Sequence, residues 1–278
     1  MTAGASKRAI IISISSDIGE AMAWRWKQAG WEISGTYRTS SKAVEKMAAA
    51  GMHLVHCELA DATSVINACE KVAAACYDWD MLVLCPGNQE PVGAFDKVSF
   101  DEWDTSIQVN FTNQMRIVHE LLPLRRNSDL GPCVLFFAGG GTNNAPQNYS
   151  GYIISKIALV KMTEILDAEI PDTRFVILGP GWVKTKIHDA TLKAPQMAGS
   201  NYQRTVEKLA SSDCTPMEDV LECCDWIAQA PREVIGGRNF SVVFDAWGDS
   251  RLDQKLRCDH DMYKLRRQGN DFLKRGAK

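Results

Sequence analysis

The chain predicts an α/β fold: a three-layer sandwich, doubly wound on a parallel sheet of seven strands. Two features carry that expectation. Apolar runs of strand length alternate with segments of helix length through most of the 278 residues. The runs are continuous rather than alternating, which marks strands buried on both faces, and such strands are parallel and joined by helical crossovers. RAIIISI (8–14) comes first, followed by an amphipathic segment from about Ile18 to Ala29. EISGTY (32–37) precedes Ser40–Ala50, and HLVHC (53–57) precedes Ala62–Cys76. MLVLC (81–85) leads to one long helix around Phe100–Leu124, and CVLFFA (133–138) to a helix over Asn148–Glu169. RFVILG (174–179) is followed by less regular sequence, and NFSVVF (239–244) closes the series. Right-handed crossovers then put every strand's C-terminal end, and with it a ligand crevice, on one edge of the sheet.

No repeat or low-complexity linker interrupts the chain, so one domain is expected over 1–248. Residues 186–215 have the character of a loop-and-helix insertion, a lid over the crevice, and 249–278 form a charged C-terminal extension. Met262, Tyr263 and Leu265 are the residues of that extension able to pack back. A net charge of −3 gives no reason to expect a nucleic-acid or membrane-surface partner. No stretch approaches the ~20 apolar residues of a membrane span. The apolar part of MTAGASKRAIIISIS is too short for a signal-peptide core and is expected to be a strand. Nine cysteines at irregular spacing fit a reducing compartment, so a cytoplasmic location is expected. Cys57, Cys85 and Cys133 fall in or beside apolar strand runs and are core candidates. Cys214, Cys223, Cys224, Cys258 and His260 lack paired CxxC spacing, and no metal site is expected from them.

Tyr152 and Lys156 stand four apart in YSGYIISKIALVKM, on one helix face. A phenol with the ordinary pKa near ~10 is a poor proton shuttle at neutral pH, and an ammonium fixed beside it is expected to favour phenolate. Such a pair moves a proton on or off a carbinol oxygen while a cofactor handles the hydride. Asn110 lies mid-way along the long helix in QVNFTN, and Pro180-Gly181 follows the sixth strand in LGPGWVKTKIH. Taken singly, Asn110 is a helix-kink residue, Pro180-Gly181 an ordinary turn and Thr185 a helix N-cap.

The order and spacing of these motifs behind an opening strand–turn–helix resemble the short-chain dehydrogenase/reductase family over roughly residues 7–246. The resemblance implies a Rossmann fold and an NAD(P)-dependent oxidoreductase acting on a small-molecule carbonyl or alcohol. It makes Tyr152 the catalytic acid/base and Lys156 the ligand of the nicotinamide ribose that also lowers the phenol's pKa. Asn110 becomes the holder of a relay water. Gly179, Pro180 and Gly181 form the turn beside the nicotinamide, with Val183 and Thr185 at its carboxamide. Pairing through the long helix and the YxxxK helix is implied too, giving a homodimer or homotetramer.

Two departures from the family's pattern stand out. Its glycine-rich turn, T-G-x-x-x-G-x-G, falls on Ile12–Gly19, where only Gly19 survives. Those glycines let the backbone approach the pyrophosphate. Ser13, Ser15 and Ser16 remain as hydroxyl donors, with Ile18 and Gly19 completing the turn. Asp17 puts a carboxylate where an anion should bind, although it is also a good N-cap. The second departure is the catalytic serine, whose register falls on Ala138 and Gly139. Thr142 is the nearest hydroxyl to replace it, with Ser150 a poorer candidate, and losing such a donor typically costs ~10²–10³ in rate.

Cofactor choice depends on the end of the second strand, where Arg38, with Ser40 or Ser41, suits a 2′-phosphate. NADP is therefore expected over NAD. Glu58 holds the register of the family's adenine contact, and Asp61 that of the following N-cap. Gly87 keeps the backbone near the adenosine ribose, where Asn88 partly replaces the family's asparagines. His119 fits a surface or interface position, His188 a place in the pocket lining, and Trp182 a pocket wall. The degenerate turn and missing serine also motivate an alternative: a protein of this kind with lost or reduced redox activity, acting as a binding or regulatory subunit.

Overall fold

Each of the seven apolar runs becomes a strand in the computed structural model, which describes residues 6–268. They are β1 (Arg8–Ile12), β2 (Glu32–Tyr37), β3 (His53–His56), β4 (Met81–Leu84), β5 (Cys133–Phe137), β6 (Arg174–Gly179) and β7 (Arg238–Ser241). The helices are α1 (Asp17–Gln28), α2 (Lys42–Ala49), α3 (Ala62–Ala75), α4 (Phe100–Ile107), α5 (Asn113–Leu121), α6 (Ser150–Glu169), α7 (Asp189–Lys193), α8 (Pro195–Ala198), α9 (Ser200–Ala210), α10 (Met217–Gln229), α11 (Arg232–Ile235) and α12 (Ser250–Cys258). All strands run parallel in the order β3-β2-β1-β4-β5-β6-β7. The winding reverses between β1 and β4, the switch point at which such sheets open a crevice.

Strand periodicity splits the apolar residues between two cores. Ile10, Ile12, Leu82, Leu84, Val134 and Phe136 face one layer, against Val65 of α3, Ile117 of α5 and Leu159 of α6. Ala9, Ile11, Met81, Val83, Leu135 and Val176 face the other, against Met22 of α1, Met47 of α2 and Cys223 of α10. Both faces of β1, β4 and β5 are thus covered, which is why their sequences are apolar without a break. Truncating Phe136, at 0% exposure, to alanine would cost roughly 3–5 kcal/mol. Caps set the helix starts: Ser16, Ser41, Asp61 and Asp249 each accept a backbone N–H in the first turn of α1, α2, α3 and α12.

The structure corrects several expectations. β1 stops at Ile12, because Ser13 takes a left-handed φ of 57°. The long helix is broken into α4, a π-helical turn at Gln108–Thr112, α5 and a 3-10 turn at Leu122–Leu124. β7 ends at Ser241, and the apolar run after it is a turn in which Ser241 Oγ accepts from the N–H groups of Val243 and Phe244, both at 3.3 Å. Phe244, expected in a buried strand, is 89% exposed. The stretch expected to be irregular after β6 contains α10, whose buried Val220, Leu221, Cys224 and Ile227 follow helical spacing. Cys85 is half-buried on the crevice wall, whereas Cys57 and Cys133 are core.

Residues 186–210 form a 3-10 turn and helices α7, α8 and α9, of which the turn, α7 and α9 border the crevice. The part of the C-terminal extension through residue 268 folds onto the domain: Met262 and Tyr263 pack on one core and Leu265 on the other. Residues 1–5 of the expected domain and 269–278 of the extension lie outside the described residues.

Candidate active site

The crevice begins at the turn after β1. The Ser13 N–H donates to Thr36 Oγ1 at 3.1 Å, and the Ile14 N–H to the Thr36 carbonyl at 2.8 Å, which fasten the turn to β2. Ser13 adopts the positive φ that the family's first glycine supplies, so the turn survives without it. Gly19 is irreplaceable in a different way: a Cβ there would lie 2.7 Å from the Ser13 carbonyl oxygen. Ser16, not Asp17, caps α1, accepting the Gly19 N–H at 3.2 Å. Ser13, Ser15, Ser16 and Ile18 line the crevice, with Gly19 buried beneath them. Asp17 turns across the crevice instead, and its Oδ2 accepts the Lys186 N–H at 2.7 Å.

Tyr152 and Lys156 lie on the buried face of α6, 8% and 2% exposed, on the wall of the same crevice. Lys156 Nζ donates to the carbonyls of Pro86 and Phe137, both at 2.9 Å, and stands 5.8 Å from the Tyr152 ring centre. Burial pushes the Tyr152 phenol up to about 12 and the Lys156 ammonium down to about 8. The expected lowering of the phenol's pKa therefore does not hold. Loss of water penalises both charged forms, and the ammonium is directed at two carbonyls rather than at the phenol oxygen.

Gly139 occupies the register of the absent serine. A Cβ on it would sit 2.9 Å from both the Tyr152 Oη and the Lys156 Cγ, so the phenol packs into the space a side chain would take. Thr142 follows Gly141, whose φ is 104°, and is exposed on the crevice wall. It makes no hydrogen bond with Tyr152 among the described residues. Ser150 is engaged elsewhere, accepting from Trp103 Nε1 at 3.0 Å.

Asn110, fully buried, sits inside the π-helical turn. Its Oδ1 accepts the Asn88 N–H at 2.9 Å, and its Nδ2 donates to the Asn88 carbonyl at 2.8 Å and the Ser106 carbonyl at 3.0 Å. The side chain thereby clamps the segment after β4, while its own carbonyl accepts from Gln114 Nε2 at 2.8 Å.

At one end of the crevice, Arg38 is exposed directly after β2, with Glu58 at the end of β3. Ser41 is used as the α2 cap, and Glu58 Oε1 accepts its neighbour's N–H at Ala60, 3.1 Å away. Gly87 faces Ile187, whose Cδ1 would be 3.1 Å from a Cβ there. At the other end, Pro180 and Gly181 open the loop after β6. Gly181 has φ 76°, and a Cβ there would run into Thr215 and come within 2.6 Å of Val243. Val183 is buried and Thr185 half-buried; Thr185 precedes a helical turn but makes no side-chain cap bond, and its hydroxyl is uncommitted among the described residues.

Sequence reasoning missed the internal brace of this loop. Trp182 stacks on His188 at 3.9 Å between ring centres, and His188 Nε2 bonds the Val183 carbonyl at 2.9 Å. Burial holds the His188 pKa below its ordinary value, so the ring is neutral at pH 7. It also missed Lys186, whose contact with Asp17 lies 169 residues away in sequence. His119, with a side chain 87% exposed, is a surface residue of this chain.

The crevice has a volume of about 1910 Å³, and Ser13, Arg38, Gly87, Tyr152, Lys156 and Thr185 all line it. A seven-stranded parallel sheet with a crevice at its switch point and a buried tyrosine–lysine pair on the crevice wall defines a doubly wound α/β domain. The chain belongs to the short-chain dehydrogenase/reductase family of oxidoreductases: a family model described as enoyl-(acyl carrier protein) reductase matches residues 13–242. The short chain dehydrogenase pgmD of Aspergillus terreus is 30% identical over 179 residues, 60% of this chain and 52% of that protein. This chain thus spans about half the length of that relative. Serine 3-dehydrogenase of Rhizobium radiobacter is 21% identical over 81% of this chain and 89% of its own. Among solved structures, a short-chain dehydrogenase/reductase from Saccharomyces cerevisiae superposes with a TM-score of 0.78 at 17% identity, covering 88% of this chain and 99% of that one. A short chain dehydrogenase from Shigella flexneri complexed with NADP gives 0.70 at 17% identity, covering 85% and 96%.

Proposed function

We propose that the chain is an NADP-dependent oxidoreductase interconverting a small-molecule carbonyl and its alcohol, with Tyr152 carrying the proton. The buried Tyr152–Lys156 pair, closed against Gly139 on the crevice wall, is the observation that supports this most. The residues present suit a nicotinamide dinucleotide. A Cβ at Gly181 would collide with Thr215 and one at Gly87 would crowd Ile187, Thr185 has a hydroxyl uncommitted among the described residues, and Ser13 and Ser15 lie in the turn. Arg38, exposed and in no ion pair with a described residue, suits a 2′-phosphate and favours NADP over NAD. When bound, the nicotinamide supplies or takes up the hydride.

The protein's own part is proton supply and positioning. A phenol pushed up to about 12 is in its acid form at neutral pH, ready to protonate an oxygen that gains charge during carbonyl reduction. Lys156 uses two N–H groups on Pro86 and Phe137, which ties α6 to the ends of β4 and β5, and keeps a third for a ribose hydroxyl. Asn110 fixes Asn88 and the crevice wall after β4, with a lone pair of its carbonyl left to hold a relay water. Thr142 is the hydroxyl proposed to polarise the substrate carbonyl. On the same reading, residues 186–215 act as a substrate lid. Copies of the chain pair through α4, α5 and α6 as a homodimer or homotetramer, and the protein works in the cytoplasm.

The test is NADPH-dependent reduction of a panel of aldehydes and ketones. Y152F should lower turnover by about 10²-fold or more while NADPH affinity, read by fluorescence titration, stays within a factor of about two. R38A should weaken NADPH but leave NADH unchanged. Unaltered turnover in Y152F would overturn the reading. Absence of binding by either dinucleotide at millimolar concentration would leave a binding or regulatory role in its place.

A further inference from the structure

The most unusual contact in the crevice is one the chain makes with itself. Asp17 stands where the family's turn places its second glycine, the position that lets the backbone approach a pyrophosphate. Its carboxylate spans to the loop after β6. Oδ2 accepts the Lys186 N–H at 2.7 Å, and Oδ1 lies 3.4 Å from Lys186 Nζ. That ammonium is also 3.4 Å from the Ser15 carbonyl oxygen. Asp17, Ser15 and Lys186 all border the crevice, and Lys186 directly follows Thr185. A backbone N–H paired with an ammonium is a donor set that takes an oxyanion, and here the oxyanion is an internal carboxylate.

We infer that Lys186 is a phosphate-contacting residue of the cofactor crevice and that Asp17 is its built-in competitor, so that cofactor binding exchanges an internal carboxylate for an external phosphate. This rests on the dinucleotide reading above. The contact is partly open to water, with the Asp17 and Lys186 side chains 30% and 64% exposed, so it is exchangeable rather than locked. A phosphate entering beside Asp17 meets a like charge and must displace it from Lys186. Asp17 thereby weakens cofactor binding, where the family's glycine is neutral.

NADPH and NADH titrations by fluorescence, with D17N, K186Q and the double variant, test this at low and high salt. D17N keeps an oxygen acceptor for the Lys186 N–H and removes only the charge. It should tighten both dinucleotides by about 2- to 10-fold at low salt. The gain should shrink at ~1 M salt, where screening is short-ranged. K186Q should weaken both by a similar factor, and the double variant should return close to the wild-type value. Adenosine 2′-phosphate, which lacks the pyrophosphate, should bind all four proteins alike. If the wild type binds NADPH and D17N binds it no more tightly, the competitor role is overturned while the dinucleotide reading stands. If none of the four proteins binds either dinucleotide, both fall together.

Discussion

Ser13 shows how the first βα turn keeps its shape after losing its glycines. Its φ of 57° is left-handed, and its N–H is held by Thr36 Oγ1 at 3.1 Å. A side chain in that conformation costs roughly 1–2 kcal/mol, which the bonds to Thr36 and the Ser16 N–H to Ser13 carbonyl bond at 2.9 Å offset. S13G should therefore raise stability by about 1 kcal/mol, seen as a higher denaturant midpoint at unchanged slope. A fall in the midpoint would mean that the serine side chain stabilises the turn more than its conformation costs. The opposite change at Gly19 has no room to relax, because the atom met at 2.7 Å is backbone. None of this strain was visible in the residues themselves. The motif alignment showed which glycines were missing, but only the backbone shows that Ser13 still performs the first one's turn.

At the scale of elements, the break between α4 and α5 organises the crevice. The π-helical turn displaces the helical ladder where Asn110 enters, and that side chain bonds Asn88, 22 residues away, through both its oxygen and its nitrogen. N110A would leave the Asn88 N–H and carbonyl and the Ser106 carbonyl without this partner. We expect a cost of about 1–3 kcal/mol, the penalty of one buried group left unpaired because Asn88 is only half-buried, and a melting temperature lower by about 2–12 °C. Calorimetry checks this, and an unchanged melting temperature would show that water takes over these bonds. The strands were legible because burial on both faces leaves an unbroken apolar run, as in β4 and β5. Tyr152 and Lys156 were legible because helical spacing puts them on one face. The π-helical turn was not, since it depends on a partner far along the chain. Apolar content misled at Val243 and Phe244, where a turn tied by Ser241 and Asp245 carries apolar side chains into solvent. The α10 signal was present in VLECCDWIA, whose buried residues recur at helical spacing. The pKa of Tyr152 depends on burial by the whole fold, so no local pattern could set it.

At the scale of the whole molecule, the charged C-terminal extension serves the sheet. β7 is an edge strand, and an open edge is a template for pairing with other chains. The extension covers it: the Asn239 N–H donates to the Tyr263 carbonyl at 2.8 Å, and Leu256 is 0% exposed. Arg238 of β7, only 2% exposed, gives its guanidinium protons to the carbonyls of Leu256 at 2.7 Å, Asp259 at 3.1 Å and Met262 at 2.7 Å. Arg266 then pins the segment to α6 through Glu164, at 2.7 Å. Hydrogen bonds from Arg266, with Lys161 adding to them, hold the Glu164 carboxyl down at about 2 against an ordinary 4.5. A carboxylate with a lowered folded-state pKa stabilises fully above its ordinary value, and that contribution is lost as pH falls from about 4.5 toward about 2. Docking of the extension should weaken across this window. E164Q, lacking the titrating group, should melt lower than wild type at pH 7 and lose less melting temperature between pH 5 and pH 3. A chain ended at Gly248 strips Arg238 of its carbonyl partners and bares the β7 edge. It should melt well below the full chain and associate further with rising concentration, as read by light scattering. If it keeps both the melting temperature and the particle size of the full chain, the extension is not the cover of this edge.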